Sequence, residues 1–540
     1  MNRPGWRTQD PGGLITETHF GRTLTCFADR PRNIGAMLRA TATRHPDGDA
    51  VVDGVRRLTY AGLLRCAEGM VVAMHRIGLA RGDRVGIWSG NRWEAIAAVV
   101  ACLRADFVAV PLGHRLQTDE VDYMLNDSGA RALVVDDALA ARVPGKRRLP
   151  DLRHVFSLTD EGDDRTFAAA TTSQPVPPPA GDEEALAFLM YTSGTTGRPK
   201  GAMITHFNLA HSVLHYIRAM RLSDQRERTL LAVPFTHITG LVAQILTMFT
   251  CAGAVVVQRE FKADAAVGLL RDEHVTHAVM VPAMYSLMLR SGGLDATPLP
   301  HLRIGAYGGA PMPPALIKEI HRRLPGLELM NAYGSTETTS PATLLPAADA
   351  VRRRDSVGLP MHCAEIRVCD DEGRELPRGS VGELRIGGPM VVPGYWNLPE
   401  VNEDTFGDGS WRSGDIGRID ADGYVEVLDR SKDMINRAGY KVYSAEVEGL
   451  LVQHSGVVEA AVVARPCPVL GERVHAFVTV SSDQPTAGEL TRFVAARIAD
   501  YKVPETFTLQ AEPLPRNANG KIVKSSLRAR AMAEIPEPVR

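Results

Sequence analysis

Residues 191–201 read Tyr-Thr-Ser-Gly-Thr-Thr-Gly-Arg-Pro-Lys-Gly and follow the apolar run Ala185–Met190, which has the length and composition of a buried strand. The segment contains three glycines, four Ser or Thr hydroxyls and one lysine. Glycines let backbone N–H groups curl around an anion, hydroxyls add donors, and Lys200 supplies a positive charge. The segment therefore predicts a loop that holds a di- or triphosphate, although the same composition also suits a plain turn. It lacks the Gly-x4-Gly-Lys-Ser/Thr spacing of a Walker A loop.

Short apolar runs alternate with helical patterns on both sides of this loop. Before it, the predicted elements are the strands Val85–Trp88, Phe107–Val110 and Ala132–Val135 and the helices Trp93–Leu103 and Asp119–Leu125. After it, the predicted strands are Leu230–Phe235, Ala254–Gln258, His277–Val281 and Leu327–Ala332. The alternation predicts an α/β fold with parallel or mixed sheets and helices on their faces.

Toward the C-terminus the pattern changes. The predicted strands there are Gly382–Ile386, Gly423–Leu428, Val457–Val463 and Ala476–Val480. A helix is predicted from Thr486, which can form a capping box with Glu489. Its apolar stripe comprises Leu490, Phe493, Val494 and Ile498. Lys502–Pro504 is predicted to end this helix, and the Pro-rich stretch Thr171–Ala180 predicts a surface linker.

The composition argues against several classes of function. A formal net charge of −2 in 540 residues gives no electrostatic basis for binding nucleic acid or an anionic membrane. The longest apolar run, Ala95–Leu103, is too short to span a bilayer and predicts a buried helix. The seven cysteines are scattered without Cys-x-x-Cys pairs, and Met1–Phe20 lacks the apolar core of a signal peptide. These features predict a cytoplasmic protein with reduced thiols.

Further segments combine glycines with charged or hydroxyl side chains. They are Pro234–Gly240, Gly308–Pro311, Asn331–Glu337, Trp411–Gly417, Leu428–Lys441 and Pro515–Ile522. Each alone would fit an ordinary turn or a charged surface loop. In this order, and together with residues 191–201, they resemble the motifs of the adenylate-forming superfamily. That superfamily contains acyl-CoA synthetases, beetle luciferases and the adenylation domains of peptide synthetases, and the resemblance extends over about residues 35–525.

The resemblance implies both a fold and an activity. The implied fold is α/β, with a large N-terminal domain (residues 1–430) of doubly wound sheets and a small β-barrel-like subdomain. A small mobile α+β C-terminal domain (residues 431–540) follows. The implied activity is ATP-dependent conversion of a carboxylic acid to an acyl-adenylate, followed by transfer of the acyl group to coenzyme A. ATP, Mg²⁺ and coenzyme A are therefore the implied cofactors.

The resemblance also implies catalytic roles. Lys521 would bridge the substrate carboxylate and the α-phosphate, where negative charge accumulates. His237 and Thr336 are the other implied catalytic residues. Glu337 is the implied ligand of Mg²⁺ carried on the ATP phosphates. Lys432 is implied to be the hinge between the two domains.

The remaining implied positions are binding sites. Those implied for ATP and AMP are Thr192, Ser193, Gly194, Thr195, Thr196, Gly197, Lys200, Gly309, Ala310, Pro311, Asn331, Tyr333, Gly334, Asp415 and Arg430. Among them, Asp415 is suited to accept hydrogen bonds from the ribose hydroxyls. Gly439 and Lys441 are implied for coenzyme A. The implied acyl pocket comprises Thr239, Gly240, Tyr307, Gly308 and Ala332.

Three positions depart from the family's pattern. Asn436 stands where many aryl-CoA ligases have a phosphate-binding lysine, for which the nearby Lys441 is expected to compensate. Ser444 replaces a common proline, and Thr236 replaces a frequent aromatic residue beside His237. These departures predict that the site for the thiol is tuned differently from that of other members.

The implied acyl pocket contains no charged residue. An α-amino group buried there would lack a counter-ion, which costs on the order of several kcal/mol. The predicted substrate is therefore a hydrophobic monocarboxylic acid. Three other functions remain open, namely transfer of the acyl group to the phosphopantetheine of a carrier protein, oxidation of the adenylate to give light as in luciferases, and non-catalytic sensing of an acyl group or nucleotide. No feature of the sequence favours the oxidation. A homodimer is also left open.

Overall fold

In a computed structural model of the chain, the described residues are 13–158, 176–192, 198–296, 298–467, 469–481, 485–517 and 521–533. They divide into two compact units. The first contains residues up to Ile366 together with Ile386–Arg412. The second contains Arg367–Arg385 and the chain from Ser413 onward. The domain boundary that the sequence predicts after residue 430 stays a prediction.

The strands are numbered along the chain. Those that begin before residue 300 are β1 (Leu14–His19), β2 (Arg22–Phe27), β3 (Asp49–Asp53), β4 (Arg56–Thr59), β5 (Arg84–Ser89), β6 (Val108–Gly113), β7 (Ala132–Asp136), β8 (His154–Leu158), β9 (Leu186–Thr192), β10 (Lys200–Thr205), β11 (Arg228–Leu231), β12 (Ala254–Val257) and β13 (His277–Met280). The later strands are β14 (Ile304–Tyr307), β15 (Glu328–Tyr333), β16 (Thr343–Leu345), β17 (Leu359–Pro360), β18 (Glu365–Cys369), β19 (Gly382–Gly387), β20 (Trp411–Ile419), β21 (Val425–Arg430), β22 (Ile435–Arg437), β23 (Tyr440–Val442), β24 (Val457–Cys467), β25 (Gly471–Val480) and β26 (Thr506–Gln510).

The helices are numbered in the same way. They are α1 (Ile34–Arg44), α2 (Tyr60–Arg76), α3 (Trp93–Arg104), α4 (Thr118–Ser128), α5 (Asp137–Ala140), α6 (His206–Ala219), α7 (Thr247–Thr250), α8 (Ala263–Asp272), α9 (Pro282–Arg290), α10 (Gly293–Ala296), α11 (Pro314–Arg323), α12 (Pro399–Phe406), α13 (Ser444–Leu451), α14 (Ala487–Ala495) and α15 (Lys524–Ala533). A π-helical segment, Thr239–Leu246, precedes α7, and short 3₁₀ turns form at Ala347–Asp349 and Asp500–Lys502.

The first unit is built on two mixed sheets, whose strand orders are β10-β9-β6-β5-β7-β8 and β17-β16-β15-β14-β13-β11-β12-β3-β4. The inner strands of both sheets pair mainly in parallel, whereas β9 with β10, β15 with β16 and β3 with β4 are antiparallel. Helix α3 is buried along its whole length, which confirms the buried helix predicted from the apolar run at 95–103. The α/β prediction is therefore confirmed, with helices packed on parallel-centred sheets.

The second unit is α+β. One sheet has the order β18-β19-β20-β21 and covers the region where the sequence predicts a small β subdomain. The other contains β22 to β26, and a hydrophobic core between this sheet and the helices includes Leu490 and Val494 of α14. The capping box of Thr486 with Glu489 is formed as predicted. The cysteines all lie within the described residues and carry free thiols.

Several predicted boundaries are wrong. Strand β24 continues past Val463 to Cys467, and β25 begins at Gly471 and not at Ala476. Helix α14 ends at Ala495, well before Lys502–Pro504. The N–H of Arg497 donates to the carbonyl of Val494, three residues earlier, so the last turn is tighter than an α-helical turn. Strand β11 ends at Leu231 and not at Phe235. Beyond it, the side chain of Asn91 donates to the carbonyls of Leu231 and Val233 and accepts from the N–H of Phe235, so these backbone groups are satisfied outside the ladder.

The predicted linker is only partly described, because residues 171–175 lie outside the described residues. Residues 176–180 have no regular structure. The buried Arg104 donates to the carbonyls of Val176 and Pro177 at 2.9 and 2.7 Å. This part of the linker is therefore anchored to the core by hydrogen bonds. In the described part of the chain, no helix combines the length and apolar composition needed to cross a bilayer.

Gly35 provides a test of the packing between α1 and α3. A Cβ atom on Gly35 would lie 2.0 Å from the carbonyl oxygen of Leu103, whereas one on Gly268 in α8 would meet no atom within 4 Å. We expect Gly35→Ala to lower the free energy of unfolding by at least about 1–3 kcal/mol, as overpacking does. Gly268→Ala should raise it by about 0.5–1 kcal/mol, because alanine is the better helix former. Urea unfolding measures both, and shifts of the same sign would contradict this account.

Candidate active site

Several predicted site segments follow neighbouring strands of the larger sheet. The segment Pro234–Gly240 follows β11, Gly308–Pro311 follows β14, and Asn331–Glu337 begins within β15. In the order β15-β14-β13-β11 these strands pair in parallel. The carboxyl ends of parallel strands meet at one edge of a sheet, which is where open α/β sheets bind ligands. The three segments therefore lie along the same edge.

The predicted phosphate loop lies between β9 and β10, which form an antiparallel hairpin. Strands β9 and β10 pair so that Lys200 lies opposite Thr192 and Gly201 lies opposite Tyr191. The hairpin therefore brings the first hydroxyl and the lysine of the predicted loop together. The other predicted loop positions, Ser193, Gly194, Thr195, Thr196 and Gly197, lie outside the described residues.

Tyr395 joins this hairpin to the predicted magnesium ligand. The Lys200 ammonium lies 5.1 Å from the centroid of the Tyr395 ring. The Tyr395 hydroxyl donates a 2.8 Å hydrogen bond to one carboxylate oxygen of Glu337, and the Ser335 hydroxyl donates to the other. Glu337 is only 6% exposed. The structure thus brings Lys200 and Glu337, which are distant in sequence, to one tyrosine side chain.

This arrangement suits the binding of MgATP phosphates. Proteins usually hold Mg²⁺ through one or two carboxylates while the substrate phosphates supply further oxygen ligands. Glu337 offers such a carboxylate, and Lys200 offers a positive charge over the ring of the tyrosine that binds Glu337. The residues present therefore fit a magnesium ion that arrives on the phosphates of a nucleotide.

The segment that carries Tyr395 is fastened to β10 by backbone hydrogen bonds. The N–H of Trp396 donates to the carbonyl of Gly201 at 2.8 Å, and the N–H of Met203 donates to the carbonyl of Gly394 at 3.0 Å. The indole N–H of Trp396 also donates to the carbonyl of Asp127 at 3.1 Å. We did not predict Tyr395 or Trp396 from the sequence. The one available signal was an aromatic pair directly after a glycine, which is too common to indicate a site.

Tyr191, at the start of the loop, contacts the side chains of Asp127 and Tyr123. Its hydroxyl donates to the carboxylate of Asp127 at 2.7 Å, and its ring lies edge-on to Tyr123 with centroids 6.4 Å apart. Burial raises the pKa of the Tyr191 phenol, and the neighbouring Asp127 carboxylate raises it further. The phenol therefore stays neutral and keeps its donor role. This contact supports the base of the hairpin, whose tip carries the predicted phosphate contacts.

His237 lies in a compact turn that Asn91 supports. Its N–H donates to the carbonyl of Pro234 at 3.1 Å, and its own carbonyl accepts from Leu241. A Cβ atom on Gly240 would lie 2.4 Å from the carbonyl oxygen of Pro234, so only glycine permits this close approach. His237 and Thr239 remain partly exposed beside it. The assignments of His237 to catalysis and of Thr239 and Gly240 to the acyl pocket stay predictions.

The other predicted pocket positions meet between β14 and β15. A Cβ atom on Gly308 would lie 2.5 Å from the carbonyl oxygen of Ala332, so these two backbones are in direct contact. Tyr307 is 1% exposed and its ring belongs to the hydrophobic core, where burial raises its pKa to about 12. By contrast, the predicted adenine-flanking residues Gly309, Ala310 and Pro311 are exposed at the sheet edge.

The segment after β15 is ordered by its own hydrogen bonds. The N–H of Ala342 donates to the carbonyl of Tyr333, and the side chain of Asn331 donates to the carbonyl of Ser356 at 3.5 Å. A Cβ atom on Gly334 would lie 3.1 Å from the N of Ala342. The partly exposed Thr336 lies in the same turn. These contacts place the predicted nucleotide contacts Asn331, Tyr333, Gly334 and Thr336 in one short segment with Glu337.

In the second unit, the two predicted ribose contacts form an ion pair. Asp415 and Arg430 lie opposite each other on β20 and β21, and their closest atoms, Arg430 Nε and Asp415 Oδ1, are 2.6 Å apart. Asp415 is 3% exposed, and its N–H donates to the Ser413 hydroxyl. The arrangement gives a carboxylate acceptor next to a guanidinium donor. Such a pair is suited to a vicinal diol.

The hinge and coenzyme A positions follow in the chain. Partial burial lowers the pKa of the Lys432 ammonium, and Arg430, Arg528 and Lys524 lower it further while Asp433 opposes them. Gly439 has a backbone φ of +90°, which favours glycine, and its N–H donates to the side chain of Asn436 at 3.0 Å. Lys441 is exposed on β23.

The predicted catalytic lysine lies just before α15. Lys521 is exposed, and its backbone exchanges two hydrogen bonds with Asn517 at 2.9 and 3.0 Å. Residues 518–520 between them lie outside the described residues. Backbone and side-chain hydrogen bonds thus join Asn517 to Lys521 across this segment. The catalytic role of Lys521 stays a prediction.

Comparisons with known proteins agree with this fold. Residues 38–396 match the family model of the AMP-binding enzymes, and residues 446–521 match the model of the AMP-binding enzyme C-terminal domain. The chain therefore belongs to the AMP-binding enzyme family, the adenylate-forming enzymes that the sequence motifs resemble. Within this family it is an AMP-forming acid–thiol ligase.

Three relatives show the range of the family around this chain. It is 32% identical to the long-chain-fatty-acid–CoA ligase FadD13 of Mycobacterium tuberculosis, over 94% of this chain and 100% of the relative. It is 36% identical to the fatty acid–[acyl-carrier-protein] ligase ScoC of Streptomyces coeruleorubidus, over 91% and 94%. The structure of O-succinylbenzoate coenzyme A synthetase from Bacillus subtilis, in complex with ATP and magnesium, has a TM-score of 0.81 and 29% identity, over 91% of this chain and 99% of the other.

Proposed function

We propose that this enzyme activates a hydrophobic monocarboxylic acid with MgATP and transfers the acyl group to the thiol of coenzyme A. The contact of Lys200 and Glu337 with Tyr395, at the base of the predicted phosphate loop, supports this proposal most directly. This contact places the Lys200 cation and the Glu337 carboxylate, a hard oxygen ligand, beside a loop rich in glycines and hydroxyl groups. This combination suits the binding of a nucleoside triphosphate with its magnesium ion.

In the first half-reaction, a carboxylate oxygen of the acid attacks the α-phosphorus of ATP. The bond from that phosphorus to the bridging oxygen breaks, and pyrophosphate leaves with the bonding electrons. Positioning and neutralisation of charge account for catalysis of this kind. We assign charge neutralisation at the α-phosphate to Lys521 and at the departing pyrophosphate to Lys200. Bound magnesium, held by Glu337, would supply further positive charge to the phosphates.

In the second half-reaction, the sulfur of the thiol attacks the carbonyl carbon of the acyl-adenylate. The carbon–oxygen bond to AMP breaks, AMP leaves with the bonding electrons, and the thiol proton passes to solvent. We assign Gly439 and Lys441 to the approach of coenzyme A. The ion pair of Asp415 with Arg430 would hold the ribose hydroxyls through both steps.

The nature of the proposed acid follows from the pocket positions. Gly308 and Ala332 are in backbone contact, and Tyr307, Thr239 and Gly240 complete a set without charge. An acid with a second charge would leave that charge unpaired among these residues. The FadD13 relative, a long-chain-fatty-acid–CoA ligase, has a substrate of the proposed class.

A carrier protein is the second candidate for the thiol acceptor. Its support is the 36% identity to a fatty acid–[acyl-carrier-protein] ligase. Both acceptors present the same phosphopantetheine thiol, so the adenylation residues would be the same for either. The difference lies in what carries the thiol, which the acceptor experiment below resolves.

The deciding experiment follows pyrophosphate release across a panel of aliphatic, alicyclic and aromatic acids. Each acid is tested alone, with coenzyme A, and with a phosphopantetheinylated carrier protein, and thioester products are identified by mass spectrometry. We expect pyrophosphate release with a hydrophobic monocarboxylate and an acyl-CoA product. Acylated carrier protein without acyl-CoA would favour the second candidate. No pyrophosphate release with any acid would contradict both and favour a sensor.

A further inference from the structure

A buried hydrogen-bonded cluster in the second unit is centred on Ser444, the first residue of α13, which is 0% exposed. Both its N–H and its hydroxyl donate to the carboxylate of Asp429, the latter at 3.0 Å. The ammonium of Lys524 donates to the Ser444 hydroxyl at 2.7 Å and forms a 2.6 Å ion pair with Glu448. We call Asp429, Ser444 and Lys524 the Ser444 cluster.

The cluster depends on the residue that departs from the family's pattern. A proline at 444 would have neither the N–H nor the hydroxyl, so Asp429 would lose both bonds to this residue. Asp429 is only 6% exposed, and burial raises the pKa of its carboxyl, whereas Lys524 and the hydrogen bonds from Ser444 lower it. A buried carboxylate without these partners is unfavourable. Ser444 therefore stabilises the charged form of Asp429.

The cluster joins chain segments on both sides of the predicted hinge. Asp429 is in β21, shortly before Lys432, whereas Ser444 begins the helix that follows the hinge. Helix α15 contributes a second contact, because Arg528 donates to the carbonyl of Lys432 at 2.8 Å and pairs with Asp433. Lys524 and Arg528 are four residues apart, so they lie on the same face of α15. One face of α15 thus contacts the hinge residue Lys432, its neighbour Asp433, and Ser444 beyond the hinge.

The position of α15 connects this cluster to the predicted catalytic lysine. Lys521 lies three residues before Lys524, the first residue of α15, while Asp429 is the direct neighbour of Arg430, which pairs with Asp415. Ser444 bonds to both Asp429 and Lys524, so it links the helix that follows Lys521 to the strand that carries Arg430. Both half-reactions use one site, where Lys521 must approach the phosphate in the first step and leave room for the thiol in the second.

We propose that Asp429, Ser444 and Lys524 are positioning residues that hold Lys521 in the arrangement used for adenylate formation. This proposal rests on the proposed function. When the cluster is intact, the ribose contacts and the helix behind Lys521 belong to one rigid group. When it is broken, the hinge segment is released and Lys521 spends less time in the arrangement that serves the first half-reaction. The second half-reaction does not need that arrangement.

The test separates the two half-reactions in the full-length enzyme. Adenylate formation is measured by exchange of labelled pyrophosphate into ATP, and thioester formation by a single turnover of supplied acyl-adenylate with coenzyme A. The variants are Asp429→Asn, Ser444→Pro and Ser444→Thr, with Thr486→Ala as the control. Proline is suited to the first position of a helix, and the preceding Tyr443 is extended, so Ser444→Pro should fold. Thr486→Ala removes the N-cap hydrogen bond of α14, a helix that contributes no residue to the Ser444 cluster.

We expect Asp429→Asn and Ser444→Pro each to slow pyrophosphate exchange by about tenfold, the effect of losing a hydrogen bond to a charged group. Thioester formation from supplied adenylate should stay within about twofold of the wild type, as should both reactions of Ser444→Thr and Thr486→Ala. Equal slowing of both half-reactions by Asp429→Asn, or unchanged exchange, would overturn the proposal. Failure of the proposed function would look different, because the wild-type enzyme would then show no exchange with any acid.

Discussion

The Lys521→Ala enzyme will form acyl-adenylate at least about 10²–10³-fold more slowly than the wild type, the usual effect of removing a donor to transition-state charge. Negative charge accumulates between the carboxylate and the α-phosphate as the new bond forms, and an ammonium on a long exposed side chain is suited to neutralise it. Pyrophosphate exchange measures this step. Thioester formation from supplied adenylate should remain close to normal, since the phosphate is already bonded to the acyl group.

Lys262→Ala is the matched control, because this lysine is 72% exposed and lies on the first unit at the start of α8. It should leave both half-reactions unchanged, so a loss in Lys521→Ala cannot come from the change in net charge. A Lys521→Ala enzyme with wild-type exchange would remove the central assignment of the proposed mechanism. Retained exchange with lost thioester formation would place Lys521 in the second step instead.

The Glu337→Gln enzyme is expected to show the second largest effect. The substitution keeps the size of the side chain and one acceptor oxygen, which can still accept from Tyr395 or Ser335, but it removes the negative charge. A metal that depends on a carboxylate should then bind more weakly. We expect pyrophosphate exchange to fall by about 10²-fold at low magnesium, in the range seen when one electrostatic contact of a transition state is lost. Excess magnesium should partly restore it.

The Tyr395→Phe enzyme tests whether the position of the Glu337 carboxylate matters when its charge is kept. The ring below Lys200 is kept, whereas the 2.8 Å hydrogen bond to Glu337 is lost. We expect a loss of about tenfold, typical of a hydrogen bond to a charged group, with a smaller shift in the magnesium dependence. Titration of magnesium in the exchange assay measures both variants. An unchanged magnesium dependence in Glu337→Gln would show that this carboxylate does not hold the metal.

Local pattern predicted the elements of the fold well. The buried helix α3 and the capped helix α14 are set by the spacing of apolar residues and by neighbours three or four positions apart, which the chain alone contains. The end of β11 was not predictable in this way. It depends on the amide of Asn91, about 140 residues earlier, which satisfies backbone groups that would otherwise continue the strand.

In the candidate site, too, some features could be predicted from the local sequence and others could not. Residues 191–201 and the segments that follow them indicate nucleotide chemistry through residue type and order, so the family could be recognised from the chain alone, and the family match confirms it. The contact of Lys200 and Glu337 with Tyr395 and the bonds of Ser444 with Asp429 and Lys524 arise only when distant segments pack together. Residue order carries the chemistry because each motif is short and contiguous. Which side chains come into contact depends on how strands pair and helices pack. Two residues can then be neighbours in space however far apart they are in the sequence.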